Sequence, residues 1–345
     1  MENKYDIVFF TNVPAFYKIN LYNEISKYKK VLVIFISEFT SSTFKDFTDG
    51  KLNFEYIFLN KEDINKRNKL KSCFRLIKIL KSIKYDLIIT MGWSDIEDFI
   101  IAFISPKKKN ATVCESSIYE SKLDNWKRYF KKLICNRISY TFVSGIPQKE
   151  IYKRLGFKGK IIITGGVGLF NKNKRELKKV EKNKKEFKYL CVARLIPVKN
   201  LEFLINVFNK NGKNLTIAGQ GILEEKLKKL AKENIKFIGH IPNKEIGRLY
   251  QEHDIFILPS KVEPWGLVVE EALYNGLPVI ISNKVGSNID MVMNYNSGEI
   301  FQFDNEDDLN KKIKDLEKNY GYYKENVKKI DFEERDKKQI NSYLL

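Results

Sequence analysis

The sequence predicts an α/β fold built on parallel sheets and divided into two domains. Short apolar, β-branched runs alternate with longer stretches of helical spacing from end to end, which is the pattern of βαβ units. The runs are apolar almost without interruption, as strands covered on both faces by helices are. The chain, at 345 residues, is longer than the roughly 250–300 residues that one hydrophobic core usually serves.

In the first half the strand-like runs are DIVFF (6–10), KVLVIFIS (30–37), FEYIFL (54–59), DLIITM (86–91), ATVCES (111–116), SYTFVS (139–144) and KIIIT (160–164). Helical spacing fills the stretches between them. Over 64–84, Leu70, Phe74, Ile77 and Leu80 fall on one face, with lysines and arginines elsewhere. Residues 171–186, NKNKRELKKVEKNKKE, are almost wholly charged or polar and read as a solvated linker or a surface turn-and-helix. The alternation restarts with FKYLCVA (187–193), NLTIAG (214–219), IKFIG (235–239), IFILPS (255–260) and PVIIS (278–282). Domains are therefore expected at 1–170 and 187–330. The polar helical tail ends in a segment, 331–345, expected to cross back to the first domain.

Composition narrows the class. Hydrophobic residues make up 43% and aromatics 13%, as in globular proteins. No apolar run approaches the roughly 18–20 residues of a membrane-spanning helix. The N-terminus, MENKYDIVFF, lacks the basic region and small-residue cleavage site of a signal peptide, so a cytoplasmic location is expected. Cys73, Cys114, Cys135 and Cys191 lie far apart and outside any CxxC pair, and are expected to be buried thiols rather than disulfides or zinc ligands. The formal charge of +19 favours an anionic partner, unless it reflects only a general enrichment in lysine. No nucleic-acid-binding motif accompanies it, so nucleic acid is not the expected partner.

The segment KVEPWGLVVEEALYNGLPVIIS (261–282) follows the run IFILPS directly. Pro264 suits the first turn of a helix, so a helix is expected to start near Trp265 and Gly266, at the C-terminal end of a parallel strand. Open α/β sheets bind ligands there, and the free N–H groups of a helix N-terminus attract phosphate. Gly266 would let the backbone approach that anion. Along the helix, Glu263 and Glu271 would stand roughly 12 Å apart and grip opposite ends of a long ligand. In VARLIPVKN (192–200), Arg194 and Lys199 stand at a second strand end. Two cations there suit a diphosphate whose charge grows as a leaving group departs. The joint implication is a nucleotide diphosphate ligand. The glycines of AGQG (218–221) either shape a strand-to-helix turn or touch that ligand. Two histidines and no carboxylate cluster argue against a metal-dependent reaction.

Arg194 and Lys199 in ARLIPVK, the glycine turn at 239–241, ILPSKVEPWGLVVEEALYNGLPVI, and the later NKVGSNIDMV and NSGEIFQFDNEDDL together resemble the retaining GT-B glycosyltransferases of family GT4. The resemblance covers 187–302, and Glu263 and Glu271 match the E-x7-E motif. It implies the GT-B fold, two Rossmann-like domains with parallel sheets facing across a cleft. It also implies a UDP- or GDP-linked sugar as donor substrate, with no cofactor and no metal. By the same resemblance, Arg194 and Lys199 neutralise the donor diphosphate, Glu263 contacts the donor sugar and Glu271 takes the ribose hydroxyls. Backbone N–H groups at Trp265, Gly266 and Leu267 would complete the site, with His240 and Ile241 bordering the base.

The first half is more loosely similar to the acceptor domain of that family. NVPAFYKINLYNEI (12–25) looks like the opening of members with a Pro–aromatic–Tyr pattern in place of a glycine pair, which makes Pro14 and Tyr17 acceptor-side candidates. Glu115, in CESSIYE, stands where many relatives carry a histidine and is expected to position the acceptor, act as a base or serve a structural hydrogen-bonding role. Trp93, in MGWSD, either stacks on an acceptor sugar or packs. Lys66, Arg67, Lys69, Lys71, Arg75, Lys78, Lys81 and Lys84 decorate one helical stretch, and DNWKRYFKKLICNRISY (124–140) interleaves aromatics with basic residues. Such faces suit either an anionic membrane surface or plain solvation. The expected function is sugar transfer, with retention, to a hydroxyl of a glycan or lipid-linked acceptor in bacterial cell-surface polysaccharide or lipopolysaccharide synthesis. The enzyme is expected in the cytoplasm or peripherally at the inner membrane face. A nucleotide-sugar epimerase of the same architecture is the alternative, with nucleic-acid binding behind it.

Overall fold

The structure, a computed structural model, describes residues 4–41, 45–48, 50–121, 123, 126–172, 175, 177 and 186–345. The chain divides into one unit of Met1–Phe170 with Glu333–Leu345 and a second of Asn171–Phe332. The last segment thus belongs with the first unit.

In the first unit β1 (Lys4–Thr11), α1 (Phe16–Ile25), β2 (Val31–Ser37), β3 (Glu55–Asn60), α2 (Lys69–Ser82), β4 (Lys84–Thr90) and α3 (Ile96–Ile104) lead to β5 (Asn110–Cys114), α4 (Lys127–Cys135), β6 (Tyr140–Val143), α5 (Ile146–Leu155) and β7 (Lys160–Ile163). The strands form one sheet in the order β3-β2-β1-β4-β5-β6-β7, every pairing parallel. Alternate residues of β1 enter opposite cores, as the two-residue period of a strand requires. Ile7 and Phe9 join Val33, Phe35 and Tyr343, while Val8 and Phe10 join Ile34, Leu76 and Leu80.

The second unit repeats the plan with β8 (Lys188–Val192), α6 (Leu201–Asn211), β9 (Asn214–Ala218), α7 (Glu224–Leu230), β10 (Ile235–Phe237), α8 (Ile246–Gln251), β11 (Ile255–Leu258), α9 (Leu267–Tyr274), β12 (Val279–Ser282) and β13 (Gly298–Phe301). Then come α10 (Glu306–Lys318) and α11 (Tyr320–Lys328), after which α12 (Phe332–Ser342) belongs, but for its first residue, to the first unit. The sheet order is β10-β9-β8-β11-β12-β13, again all parallel. In both sheets the chain winds outward from its first strand and then returns to that strand's other side, at β1/β4 and at β8/β11. Each of these is a topological switch point, where a crevice opens beyond the strand C-termini.

Three sequence expectations need correction. The α2 face is rotated: Cys73, Leu76 and Leu80 are buried, but Leu70 and Phe74 are 68% and 73% exposed. An apolar stripe of helical spacing does not by itself say which flank meets the sheet. FEYIFL and KIIIT, expected as buried strands, became β3 and β7, the two edges, and are half open to solvent. Finally, the expected linker is not solvated throughout. Arg175 is half-buried, donating from Nε to the Tyr274 carbonyl at 2.8 Å and from its other nitrogens to the carbonyls of Val327 and Ile330 at 3.0 and 3.3 Å. Residues 173, 174, 176 and 178–185 of that stretch lie outside the described residues.

The AGQG glycines shape the turn after β9. Gly219 has φ +135°, and a Cβ there would stand 1.9 Å from the Ala193 carbonyl oxygen. Its N–H donates to the Gly239 carbonyl at 2.7 Å, so the turns after β8, β9 and β10 are locked together. A Gly219→Ala chain must open this junction and hold a side chain in an unfavourable backbone region, at a cost of roughly 3 kcal/mol. Scanning calorimetry should show the second unit's unfolding temperature lowered by about 6–12 °C; an unchanged transition would mean that the turns are not locked.

Candidate functional site

The second unit gathers the expected donor residues at the C-terminal edge of its sheet. Arg194 follows β8 and is exposed; Lys199 closes the 3-10 turn Pro197–Lys199; half-buried His240 and Ile241 follow β10; Glu263 follows β11. The Lys261 N–H donates to the Val198 carbonyl at 2.9 Å, drawing the loops after β8 and β11 together across the switch point. The Lys199 ammonium and the Glu263 carboxylate form an ion pair, with side chains only 14% and 12% exposed. Ser260 Oγ also donates to that carboxylate, at 3.3 Å.

The helix after β11 starts later than its sequence suggests. Gly266 caps α9 with φ +92°, and helical residues begin at Leu267, so Pro264 precedes the helix instead of opening it. The left-handed glycine is the physical reason: it turns the chain before the helical hydrogen bonds begin. A helical rise therefore does not apply between Glu263 and Gly266, and the 12 Å spacing expected for the two glutamates has no basis there. Glu263 instead bridges to Val285, its carbonyl accepting from the Gly286 N–H at 2.8 Å, while the Trp265 carbonyl accepts from the Ser287 N–H at 3.0 Å. The loop after β12 thus braces the glycine turn. Trp265 is 2% exposed, and its Nε1 donates to buried Glu270 at 3.0 Å, so its side chain is structural while its backbone stays beside the helix start.

Glu271, on α9, accepts from the Tyr250 hydroxyl at 3.0 Å. Its carboxyl is pushed up to about 7, chiefly by burial and also by the charge of Glu270, against the opposing Tyr250 hydrogen bond. It is therefore about half protonated at neutral pH, and hydrogen-bond donors reaching it would favour the charged form.

In the first unit Pro14 is buried, Tyr17 is half-buried and Glu115 is 23% exposed at its side chain, just beyond β5. The sequence reading missed their partner. Lys18, 6% exposed, pairs with Glu115 at 3.0 Å and approaches Thr11 Oγ1 and Met91 Sδ, both at 3.4 Å. A signal existed: Lys18 occupies the apolar stripe Ala15, Lys18, Ile19, Tyr22 of α1, where a lysine is out of place unless paired. Burial, followed by the charge of Glu115, drives the Tyr17 and Tyr22 hydroxyls far upward, so both stay protonated. Of the two roles expected for Trp93, the structure shows packing. It packs against Tyr152, ring centroids 5.7 Å apart, and lines a cavity with its remaining surface.

Of the basic stretch expected from Lys66 to Lys84, Arg67, just ahead of α2, turns inward, while Arg75 on α2 stays exposed. Arg67 is 9% exposed and pairs with Asp95 and Glu97 at 2.5 and 3.1 Å, and Arg75 donates to the Leu59 carbonyl at 2.6 Å. All four cysteines are buried. Among the described residues no cluster of three His, Cys, Asp or Glu side chains is suited to a metal, and no helix is long and apolar enough to cross a membrane.

Residues 172–332, nearly the whole second unit, match the family model described as glycosyl transferases group 1. The chain is similar to an uncharacterized 41.2 kDa protein in the cps region of Klebsiella pneumoniae, 28% identical over 260 residues that cover 69% of this chain and 70% of that one. Its structure is similar to the apo form of the lipopolysaccharide outer core galactosyltransferase WaaB, with a TM-score of 0.73, 15% identity, and 98% and 99% of the two chains covered. Anabaena Alr3699/HepE in complex with UDP and glucose gives 0.68 at 15% identity, with 99% of each chain covered. At such identities the structural likeness shows the fold, GT-B with two Rossmann-like domains. The family match over the second unit supports glycosyl transfer as the coarse activity.

The Lys199–Glu263 pair provides a test of how this edge is held. Removing one partner of a mostly buried pair strands the other charge, at a cost of about 3–5 kcal/mol, whereas replacing both by apolar groups is often close to neutral. Glu263→Ala should therefore destabilise the second unit by about 3 kcal/mol in urea unfolding, and Lys199→Met with Glu263→Leu by less than about 1 kcal/mol. Equal losses in the two chains would show that the pair contributes more than mutual neutralisation.

Proposed function

We propose that this chain transfers a glycosyl group from a UDP- or GDP-linked sugar to a hydroxyl of a glycan or lipid-linked acceptor, with retention and without a metal, in the synthesis of cell-surface polysaccharide or lipopolysaccharide. The observation that carries the proposal is the convergence at the β8/β11 switch point of Arg194, Lys199, the left-handed Gly266 turn and the start of α9. In the reaction, the bond from the sugar's anomeric carbon to the diphosphate breaks, its electron pair passing to the phosphate oxygen. The acceptor oxygen forms the new bond to that carbon, and its hydroxyl proton passes to the departing phosphate oxygen. Arg194, Lys199 and the N–H groups at Leu267 meet the charge that develops on the leaving diphosphate, where fixed donors have most effect.

Glu263 would present its backbone turn and carboxylate to the donor sugar, with Lys199 shared between that carboxylate and the diphosphate. Glu271 would accept the ribose hydroxyls, and His240 and Ile241 would border the base. For Glu115, the ion pair with Lys18 favours positioning over proton abstraction, because the buried ammonium already occupies the carboxylate at 3.0 Å. The likeness to the cps-region protein and to WaaB supports the surface-polysaccharide setting. The aromatic and basic residues exposed on α4 support peripheral contact with an anionic membrane at the cytoplasmic side.

Nucleotide binding tests the donor site first. Thermal-shift titration with UDP, GDP and their sugar conjugates, without added metal, should raise the transition with one nucleotide family. Arg194 is exposed, so Arg194→Ala should keep the fold while lowering turnover roughly 10²-fold, the usual loss for one donor to a developing oxyanion. No response to any nucleotide would remove the donor assignment.

Glu271 adds a pH signature. Folding raises its pKa from 4.5 to about 7, so the neutral form is preferred in the fold, and its contribution to stability is lost as pH rises from the lower value through the higher. Ribose hydroxyls donating to the carboxylate favour the ionised form, so binding must release a proton below about pH 7. Affinity for the donor sugar nucleotide, measured by calorimetry, should rise about 10-fold from pH 6 to pH 8 and be flat in Glu271→Gln. Affinity that instead falls with pH would assign Glu271 as a donor of its proton to the ligand.

A further inference from the structure

The donor site leaves a cavity of the first unit unused. It encloses about 860 Å³, within the range of pockets that hold small-molecule ligands. Its walls come from the C-terminal edge of the sheet and from two helices: Trp93 follows β4, Ser116 follows β5, Ile96 and Phe99 belong to α3, and Trp126 and Phe130 stand at the start of α4. The rings brace one another. Phe130 meets Phe99 at 6.2 Å and Trp126 at 5.5 Å, both edge to face.

The apolar lining does not stop at the rim. Trp126, Tyr129, Phe130 and Leu133, spaced i, i+3, i+4, i+7, are 64%, 73%, 46% and 48% exposed. They form one stripe of α4 that faces away from the core, the reverse of the usual arrangement. A sugar alone does not need such a surface. A chain of hydrocarbon leaving the cavity does.

Two lysines stand at the same cavity, Lys127 and Lys131. The Lys131 ammonium lies 5.1 Å from the centre of the Trp93 ring. Burial depresses its pKa, a cost that a bound anion would offset. Of the carboxylates in the walls, Asp95 accepts from Arg67 at 2.5 Å, while Glu120 accepts from the Ser117 N–H at 2.9 Å and its charge also acts on Lys131.

We propose that this cavity binds an amphiphile with a phosphate head group and a long hydrocarbon chain, the head at Lys127 and Lys131 and the chain along Trp126, Phe130 and the outward stripe of α4. Such a molecule is the carrier portion of a lipid-linked acceptor, and that role rests on the glycosyl-transfer reading above. The cavity's walls all belong to the first unit, so binding of the carrier does not require the donor.

The test is a titration of the full chain with farnesyl phosphate below its micellar concentration, read by tryptophan emission. Two of the chain's three tryptophans, Trp93 and Trp126, line the cavity, and the third, Trp265, is buried in the second unit. The expected result is a saturable change in emission with farnesyl phosphate, at least tenfold weaker with farnesol or after Lys127→Ala with Lys131→Ala, and abolished by Phe130→Asp. Phe130 is 46% exposed, so that variant should keep its circular-dichroism melting profile. Absence of a saturable change overturns the proposal. So does equal affinity for farnesol, which would remove the head group, or an equal response to inorganic phosphate, which would remove the chain. Loss of amphiphile binding while the nucleotide response persists defeats this proposal alone. The opposite result defeats the donor site and leaves the amphiphile site standing.

Discussion

Every strand pairing in both sheets is parallel, so each helix must return the chain to the same edge before the next strand can start. All strand C-termini therefore gather along one edge of each sheet, and the residues that follow them meet in space however far apart they stand in the chain. Arg194, Gly219, Gly239 and Glu263 span some seventy positions of sequence yet lie on turns joined by hydrogen bonds, because β8, β9, β10 and β11 end side by side. The switch points at β1/β4 and β8/β11 then supply the crevices. The first brings Lys18 beside Thr11 and Met91, the second collects the candidate donor-site residues.

Charge is handled alike in both units. Each places a lysine–glutamate pair at the sheet's C-terminal edge: Lys18 with Glu115, and Lys199 with Glu263. Neither pair is a good source of stability, since desolvation consumes most of the attraction. What each pair does is fix the position of its cation. Around the second pair, Gly266 and the loop after β12 brace the backbone, so that the N–H groups at the start of α9 are oriented without help from the ligand. Preorganisation of this kind is what lets fixed donors act on a developing charge.

The strands were legible because apolar runs are local: the runs expected before β1, β2 and β8 to β12 all became strands within one or two residues of their expected bounds. Burial was less legible. Leu70 and Phe74 obey helical spacing as well as Leu76 and Leu80 do, but the side of α2 that meets the sheet is chosen by where β3 and α3 lie, which no local pattern contains. The edge positions of β3 and β7 follow from strand order, a property of the whole sheet. In the candidate donor site, residue types and spacing marked Arg194, Lys199, Glu263 and Glu271. The later helix start at Leu267 was hidden by Pro264, which fits a helix opening equally well, and only the left-handed backbone of Gly266 decides between them.

By itself the sequence determined the alternation of strands and helices, the division into two parallel-sheet units and the residues that a diphosphate ligand would need, since these depend on local periodicity and on the chemistry of single side chains. The tertiary structure decided which charges are paired. Lys18 finds Glu115 across 97 positions, Arg67 leaves the basic face for Asp95 and Glu97, and Glu271 is lifted towards neutrality by burial. It also turned the apolar stripe of α4 outward beside a cavity. Ionisation and exposure depend on what surrounds a group in three dimensions, and the sequence orders those surroundings only through the fold.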